Sequence, residues 1–279
     1  MPLYTMKEIL KDAQENDYGV GYYNAVNLEM IRACIRAAED EKSPIIIGIA
    51  EGLLCYADFD WISPALLSAA RLAKVPVAVH LDHAYSFDSV MQALRAGFGS
   101  VMFDGSSLAY EENIRISKEI AKAAHPMGAS LECELGKVGG LAEGEGVVGK
   151  NIYTDPEQAK DFVDRTGADF LAVSIGTTHG ILKTQPKLEL ERLKEIRAQV
   201  QVPLVLHGGT GLSESDFKAC IKGGIHKVNI YTDVITCALN QIREDVANLE
   251  YLDLMQSAEN AMYDKIVAYT RIFGSDNRA

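Results

Sequence analysis

Short apolar runs rich in Val and Ile alternate with longer segments of helical period along the whole chain. No other feature narrows the fold as much. A parallel strand covered on both faces reads as a near-continuous apolar run, whereas a helix crossing back over the sheet carries its apolar residues on one stripe of about 3.6-residue period. Eight such runs fall near 20–24, 45–49, 77–81, 100–103, 130–134, 170–173, 204–206 and 227–230. Between them lie amphipathic stretches that include 28–40, 64–74, 113–124, 156–166 and 190–200. Pro44, Pro76 and Pro203 each stand just before or at the start of a run, where a missing N–H costs the ladder little. Residues 233–249 read as a closing helix and 254–273 as a further helical tail packed outside. The expectation is an α/β protein, a (β/α)8 TIM barrel with an extra C-terminal helical tail, forming a single domain over residues 1–279. An open doubly wound sheet is the competing architecture, but no G-x-G-x-x-G turn follows the first run.

Charge limits the partners. Lys and Arg number 27 against 39 Asp and Glu, a net charge of −12, which repels nucleic acid and anionic membrane surfaces at long range. An anionic substrate must therefore be captured locally. The five cysteines, Cys34, Cys55, Cys133, Cys220 and Cys237, are scattered without a C-x-x-C pair and read as reduced thiols. No basic segment followed by an apolar stretch opens the sequence, and no apolar run is long enough to span a bilayer. A cytoplasmic protein with neither nucleic acid nor membrane as partner is expected.

In a parallel barrel the active site is built from the C-terminal ends of the strands and the loops after them. Those positions here carry His80-Leu81-Asp82-His83, Phe103-Asp104-Gly105, Glu134-Leu135-Gly136, Thr178-His179-Gly180, His207-Gly208-Gly209-Thr210 and Asn229-Ile230-Tyr231-Thr232. Four of the six histidines sit there, and three imidazoles from separate strand ends can converge on one Zn²⁺ with a coordination position left open. Gly208, Gly209 and Thr210 after the seventh run, with Asn229, Ile230, Tyr231 and Thr232 after the eighth, occupy the usual phosphate cradle of barrels.

At these residues the chain resembles the class II, zinc-dependent ketose-bisphosphate aldolases of fructose- and tagatose-bisphosphate type. The resemblance rests on Asn24, H-L-D-H at 80–83, E-L-G-x-x-G-G at 134–140, Y-T-D-P-E at 153–157, I-G-T-x-H-G at 175–180, V-L-H-G-G-T-G at 205–211, K-V-N-x-x-T-D at 227–233 and G-S-x-N-R-A at the end. It implies reversible aldol cleavage of a phosphorylated ketose, a ketose 1,6-bisphosphate or related sugar phosphate, to dihydroxyacetone phosphate and an aldehyde. By the same resemblance His83, His179 and His207 are the zinc ligands, while Asp104 and Glu134 hold the metal in an alternative position or orient the imidazoles. Asp82 becomes the acid/base at the cleaved bond, Asn24 and Gly180 join the substrate site, and His80 lies behind the ligands or in the core. The resemblance also implies a monovalent cation near the phosphate and a homo-oligomer, dimer or tetramer.

Zinc ligated by the substrate would act as a Lewis acid, and a second acid/base on a mobile loop would move the proton at the donor carbon. Glu143, with Glu145 next, is the candidate in the glycine-rich stretch 139–146, since Ala142 stands where the family's loop glutamate falls. Two further departures are Tyr231 in place of an aspartate and Ala50 in place of a serine, which point to an acceptor other than glyceraldehyde 3-phosphate or to tagatose-like stereochemistry. Three rivals remain at this level: a Schiff-base aldolase using Lys227, a zinc hydrolase, and a non-catalytic metal- or sugar-phosphate-binding barrel.

Overall fold

The computed structural model describes residues 3–140, 153–180 and 186–279. Eight parallel strands close into a barrel: β1 Val20–Asn24, β2 Ile45–Ala50, β3 Val77–Ala84, β4 Ser100–Phe103, β5 Ser130–Leu135, β6 Phe170–Val173, β7 Leu204–Leu206 and β8 Ile225–Ile230. Each pairs with its neighbours in sequence, and β8 returns to β1 through Val20 opposite Lys227 and Tyr23 opposite Ile230. Ten helices are described: α1 Met6–Glu15, α2 Leu28–Asp40, α3 Phe59–Leu72, α4 Phe87–Ala96, α5 Tyr110–Ala124, α6 Pro156–Thr166, α7 Leu190–Gln199, α8 Glu214–Lys222, α9 Thr232–Asp245 and α10 Tyr251–Phe273. Two-residue strands at Gly139–Gly140 and Thr178–His179 pair with each other above the barrel.

Strand alternation sorts side chains into two apolar clusters. Tyr23, Ile45, Ile47, Ile49, Val77 and Val79 face outward and pack beneath the helices, whereas Val20, Tyr22, Ile46, Ala78, Met102 and Phe170 face inward. The inner cluster is completed by Met6, Ile9, Leu10 and Ala13 of α1, which plugs the end of the barrel away from the strand C-termini. Helix α1 is absent from the sequence reading above, although its capping box, Thr5 with Glu8, is legible as T-x-x-E. Helix α10 lies across α2, where Glu259, 1% exposed as a side chain, pairs with Arg36 and Arg32. The expected tail is thus a part of the outer wall.

Several boundaries shift from expectation, among them the closing helix, which ends at Asp245 and not at 249, and two of the shifts have a clear local cause. Helix α3 starts at Phe59, not at Pro64, because the Asp58 side chain caps it by accepting from the Asp60 N–H, and Pro64 is carried inside the helix. Strand β3 continues past Leu81 to Ala84, and the register with β4 shifts between those two residues. His83 sits in that bulge with φ of 44°, a left-handed conformation that a residue with a Cβ adopts only under restraint. The consequence is functional. Consecutive residues on a strand normally point to opposite faces, but here both Asp82 and His83 reach the same cavity.

Gly48 is fixed by the inward layer, since a Cβ there would lie 1.8 Å from the His80 carbonyl oxygen and 3.1 Å from the Tyr22 ring. Gly48→Ala is therefore expected to cost about 1–3 kcal/mol or more, the range of overpacking substitutions. Gly52→Ala, with nothing within 4 Å of the added carbon, is expected to melt like the parent. Equal denaturation midpoints for the two variants would show that the strand-two to strand-three contact tolerates a methyl group.

Candidate active site

A cavity of about 550 Å³ opens at the C-terminal ends of the strands. Its walls carry Asn24 from β1, Asp82 and His83 from β3, Asp104 after β4, Glu134 from β5, and Asn229 from β8. His179, Gly180, Gly208, Gly209, Thr210, Tyr231 and Thr232 join them from the loops. Of the expected site residues, His207 and Ile230 do not line it. His207 is fully buried beneath the floor, and the Ile230 side chain packs in the outer apolar cluster, leaving only its backbone on the site side. Glu143 and Glu145 lie outside the described residues.

Three rings meet at the base of this cavity, His83 and His179 lining it and His207 beneath them. The centroids of His83 and His207 are 4.6 Å apart, those of His83 and His179 5.2 Å, and those of His179 and His207 5.9 Å. The outer nitrogens of two of them are committed to carboxylates: His83 Nδ1 is 2.9 Å from Asp104 Oδ2, and His207 Nε2 is 2.9 Å from Glu132 Oε1. A carboxylate accepts, so each of these nitrogens carries a proton and the opposite one carries a lone pair. Yet His83 Nε2 and His207 Nδ1 face each other at 2.8 Å. Two lone pairs at that distance require a proton or a cation between them.

The local charges say the same. Burial alone would lower the His83 imidazole, but Asp82, the hydrogen-bonded Asp104 and Glu134 outweigh it and push it up to about 10. Burial, aided by His83, holds His207 well below the usual histidine range and brings His179 down to about 4. One positive charge is thus favoured among three imidazoles. Nitrogen donors of His83, His179 and His207 lie within 4.8 Å of one another, a donor set suited to a divalent ion. Tetrahedral Zn–N bonds of about 2.0–2.1 Å would separate neighbouring nitrogens by roughly 3.3 Å, so a small outward shift of the His83–His207 pair admits such an ion.

Carboxylates surround the rings. Asp82, 2% exposed, is held by the Asn229 amide at 3.1 and 3.3 Å and by that of Asn24 at 3.4 Å, and Asn24 in turn accepts from the Tyr22 hydroxyl. Asp104 is fixed on its other oxygen by the Ser106 N–H and hydroxyl. Although burial opposes it, the bonds and charge of His83 keep the Asp104 carboxyl well below the ordinary range. Glu134 accepts from the Val138 N–H while its other oxygen is buried without a partner. Glu134, His83 and Asp104 form a second cluster with donor atoms within 4.8 Å.

The other end of the cavity is built from backbone. Gly208 has φ of 65°, and a Cβ there would meet the Thr178 backbone at 2.6 Å, so glycine alone fits. Helix α9 begins at Thr232, directly after Tyr231, and directs its free N–H groups and positive dipole end at the cavity. Tyr56, Tyr85 and Tyr231 supply aromatic walls, and Lys137 is the one lysine or arginine lining the cavity among the described residues.

Glu132 went unassigned in the sequence, although it stands two residues before Glu134. On a strand that spacing puts both carboxylates on one face. Lys227, considered above as an imine-forming amine, is fully buried, 2.7 Å from Glu132 Oε2 and 4.6 Å above the Tyr22 ring. His80, also fully buried, bonds Ser100 through Nδ1 and packs edge-on to Tyr22.

These features make a parallel barrel with imidazoles and carboxylates clustered at its C-terminal rim, in groups that could hold a metal ion. The model for class-II fructose-bisphosphate aldolase matches residues 4–278, and the chain belongs to that family. It is a class II aldolase, a carbon–carbon lyase. The chain is 39% identical over 268 residues to the uncharacterized protein YdjI of Escherichia coli, covering 96% of each. It is 38% identical over 286 residues to a fructose-bisphosphate aldolase of Staphylococcus epidermidis and 39% over 289 to a probable one of Bacillus subtilis, with full coverage. Among solved structures, the YdjI aldolase superposes with a TM-score of 0.91 at 37% identity over the whole of both chains. The Campylobacter jejuni enzyme, at 24% identity and a TM-score of 0.84, shares the fold.

Burial, reinforced by Asp104, pushes the Glu134 carboxyl up to about 8 from its ordinary 4.5. Folded protein thus keeps a proton that the unfolded chain has already lost, and stability falls as pH rises between those values. In the chelated protein Glu134→Gln should remove part of that fall, giving a flatter stability profile from pH 4.5 to about 8. Identical slopes for parent and variant in denaturation at several pH values would mean that Glu134 is ionised throughout.

Proposed function

We propose that the protein is a zinc-dependent aldolase that reversibly cleaves a phosphorylated ketose, a ketose 1,6-bisphosphate or related sugar phosphate, to dihydroxyacetone phosphate and an aldehyde. The observation that carries the reading is the pair of imidazole nitrogens facing each other at 2.8 Å, with His179 beside them, at a cavity that a helix N-terminus enters. His83, His179 and His207 would hold the ion, with Asp104 and Glu134 orienting the imidazoles or offering a second position. Bound zinc supplies Lewis acidity, polarising the substrate carbonyl and stabilising the charge left when the carbon–carbon bond breaks.

The chain does the rest. Asp82, held by two amides on the cavity wall, takes the hydroxyl proton as the bond breaks and returns it to the aldehyde oxygen in the reverse direction. The donor phosphate is captured by N–H groups of Gly180, Gly208, Gly209, Ile230 and Tyr231 and by the hydroxyls of Thr210 and Thr232, next to the start of α9. A monovalent cation beside that phosphate would offset its charge. Asn24 and Asn229 position substrate and Asp82 together. Glu143, or Glu145, serves as the second acid/base at the donor carbon. Ion pairing of Lys227 with Glu132, away from the cavity, argues against an imine. No described helix is long and apolar enough to cross a membrane, and we place the enzyme in the cytoplasm as a single-domain homo-oligomer, dimer or tetramer.

Metal analysis is expected to find about one zinc per chain, chelation to abolish turnover, and added Zn²⁺ to restore it. His83→Ala, His179→Ala and His207→Ala should each do the same as chelation. Turnover of a ketose phosphate by protein verified as metal-free would contradict the proposal.

The two proton transfers should separate by mutation. Asp82→Ala is expected to lower kcat for cleavage by about 10²–10⁴-fold while leaving solvent exchange of the donor's α-proton partly intact. Glu143→Ala, or Glu145→Ala, should suppress that exchange. Wild-type exchange in both glutamate variants, followed by NMR in deuterium oxide, would send the search for the second base elsewhere.

A further inference from the structure

Beneath the histidines lies a buried ion pair to which the reaction itself gives no task. Glu132 and Lys227 have fully buried side chains and sit on the inner faces of β5 and β8, with Lys227 Nζ 2.7 Å from Glu132 Oε2. The remaining oxygen, Oε1, is 2.9 Å from His207 Nε2. With Oε2 taken by the lysine, Oε1 accepts from His207 Nε2–H, and Nδ1 is the nitrogen presented to His83. His83 is fixed the other way round, proton on Nδ1 toward Asp104 and Nε2 inward. Two neighbouring imidazoles therefore present different ring nitrogens to the same point, and a different carboxylate sets each.

We propose that Glu132 and Lys227 are a positioning pair for the metal centre, with Glu132 holding the His207 ring by accepting from Nε2 and Lys227 fixing the other Glu132 oxygen in place. The proposal rests on the metal reading above and adds the cause of its asymmetry. A buried ion pair is a weak source of stability, because desolvating both charges offsets most of their attraction, and apolar replacements of similar size are often neutral. Its place in the middle of a barrel interior, in contact with His207, points to another role. Lys227 stands 4.6 Å over the Tyr22 ring, whose hydroxyl bonds Asn24, so the cation sits in a fitted pocket and does not reach the cavity. Partners that orient a ligating imidazole are typically worth about 10–100-fold in metal affinity.

The test compares two double variants with the parent by chelator competition for Zn²⁺ and by melting of the chelated protein. Glu132→Leu with Lys227→Met removes the pair without leaving a charge buried. It is expected to melt close to the parent yet bind Zn²⁺ about 10–100-fold more weakly. Glu132→Gln with Lys227→Met keeps an oxygen that can accept from His207 and is expected to recover most of the affinity. Parent-like affinity in the Leu/Met protein would overturn the proposal and leave the pair a structural feature.

Should the Leu/Met protein fail to fold, the tautomer decides. Long-range ¹H–¹⁵N spectra of the parent, as isolated and after chelation, should show His207 protonated on Nε2 in both states, and protonation on Nδ1 would overturn the proposal. Because the chelated spectrum needs no metal, it stands even if the parent proves not to bind zinc, which would instead count against the proposed function.

Discussion

The structure turns on the 2.8 Å contact between His83 Nε2 and His207 Nδ1. In water two such nitrogens would each find a donor, but these rings are enclosed and their outer nitrogens are already engaged by Asp104 and Glu132. Among the described residues the Asn229 amide, 3.4 Å from His207 Nδ1, is a further donor near the inner pair, and it is already shared with Asp82, so a proton or a cation between the two nitrogens is the better match. The surrounding carboxylates, Asp82, Asp104 and Glu134, make positive charge at that point favourable and push the His83 imidazole up against the effect of burial. A divalent ion held by His83, His179 and His207 would answer the same demand.

The barrel supplies the restraint. Inward alternation stacks Tyr22, His80, Glu132 and Lys227 below the catalytic rim, where packing and ion pairing fix their side chains. Upon this floor the bulge in β3 turns His83 into the cavity beside Asp82 at the cost of a left-handed backbone at a non-glycine residue. The strain is local, and its return is two functional groups from adjacent positions of one strand. At the opposite wall, Gly208 and the start of α9 offer backbone donors where a negatively charged protein could not hold a phosphate by its overall field.

Much of this was legible in the residues. The eight runs, their order and the strand-end positions of His83, His179 and His207 follow from alternation and from the rule that barrel sites lie at strand C-termini. Less visible was the bulge, since period-two reading ends β3 at Leu81 and cannot foresee that Asp82 and His83 share a face. Glu132 was hidden for another reason: its role appears only when Lys227, distant in sequence, closes on it across the barrel. Helix α3 begins five residues before the amphipathic stretch at 64–74, because the cap at Asp58 sets its first turn. Ile230 illustrates alternation working against a motif-based assignment, because its neighbour Asn229 takes the inward position and leaves the isoleucine to the outer core.

X-ray absorption at the zinc K edge of the protein as isolated tests the central claim most directly, because it reads the ligand atoms without reference to turnover. The account predicts a first shell of nitrogen and oxygen at about 2.0–2.1 Å with the multiple-scattering pattern of three imidazoles. His207→Ala should reduce that pattern to two. A sulfur shell at about 2.3 Å, or an imidazole pattern unchanged by His207→Ala, would contradict it.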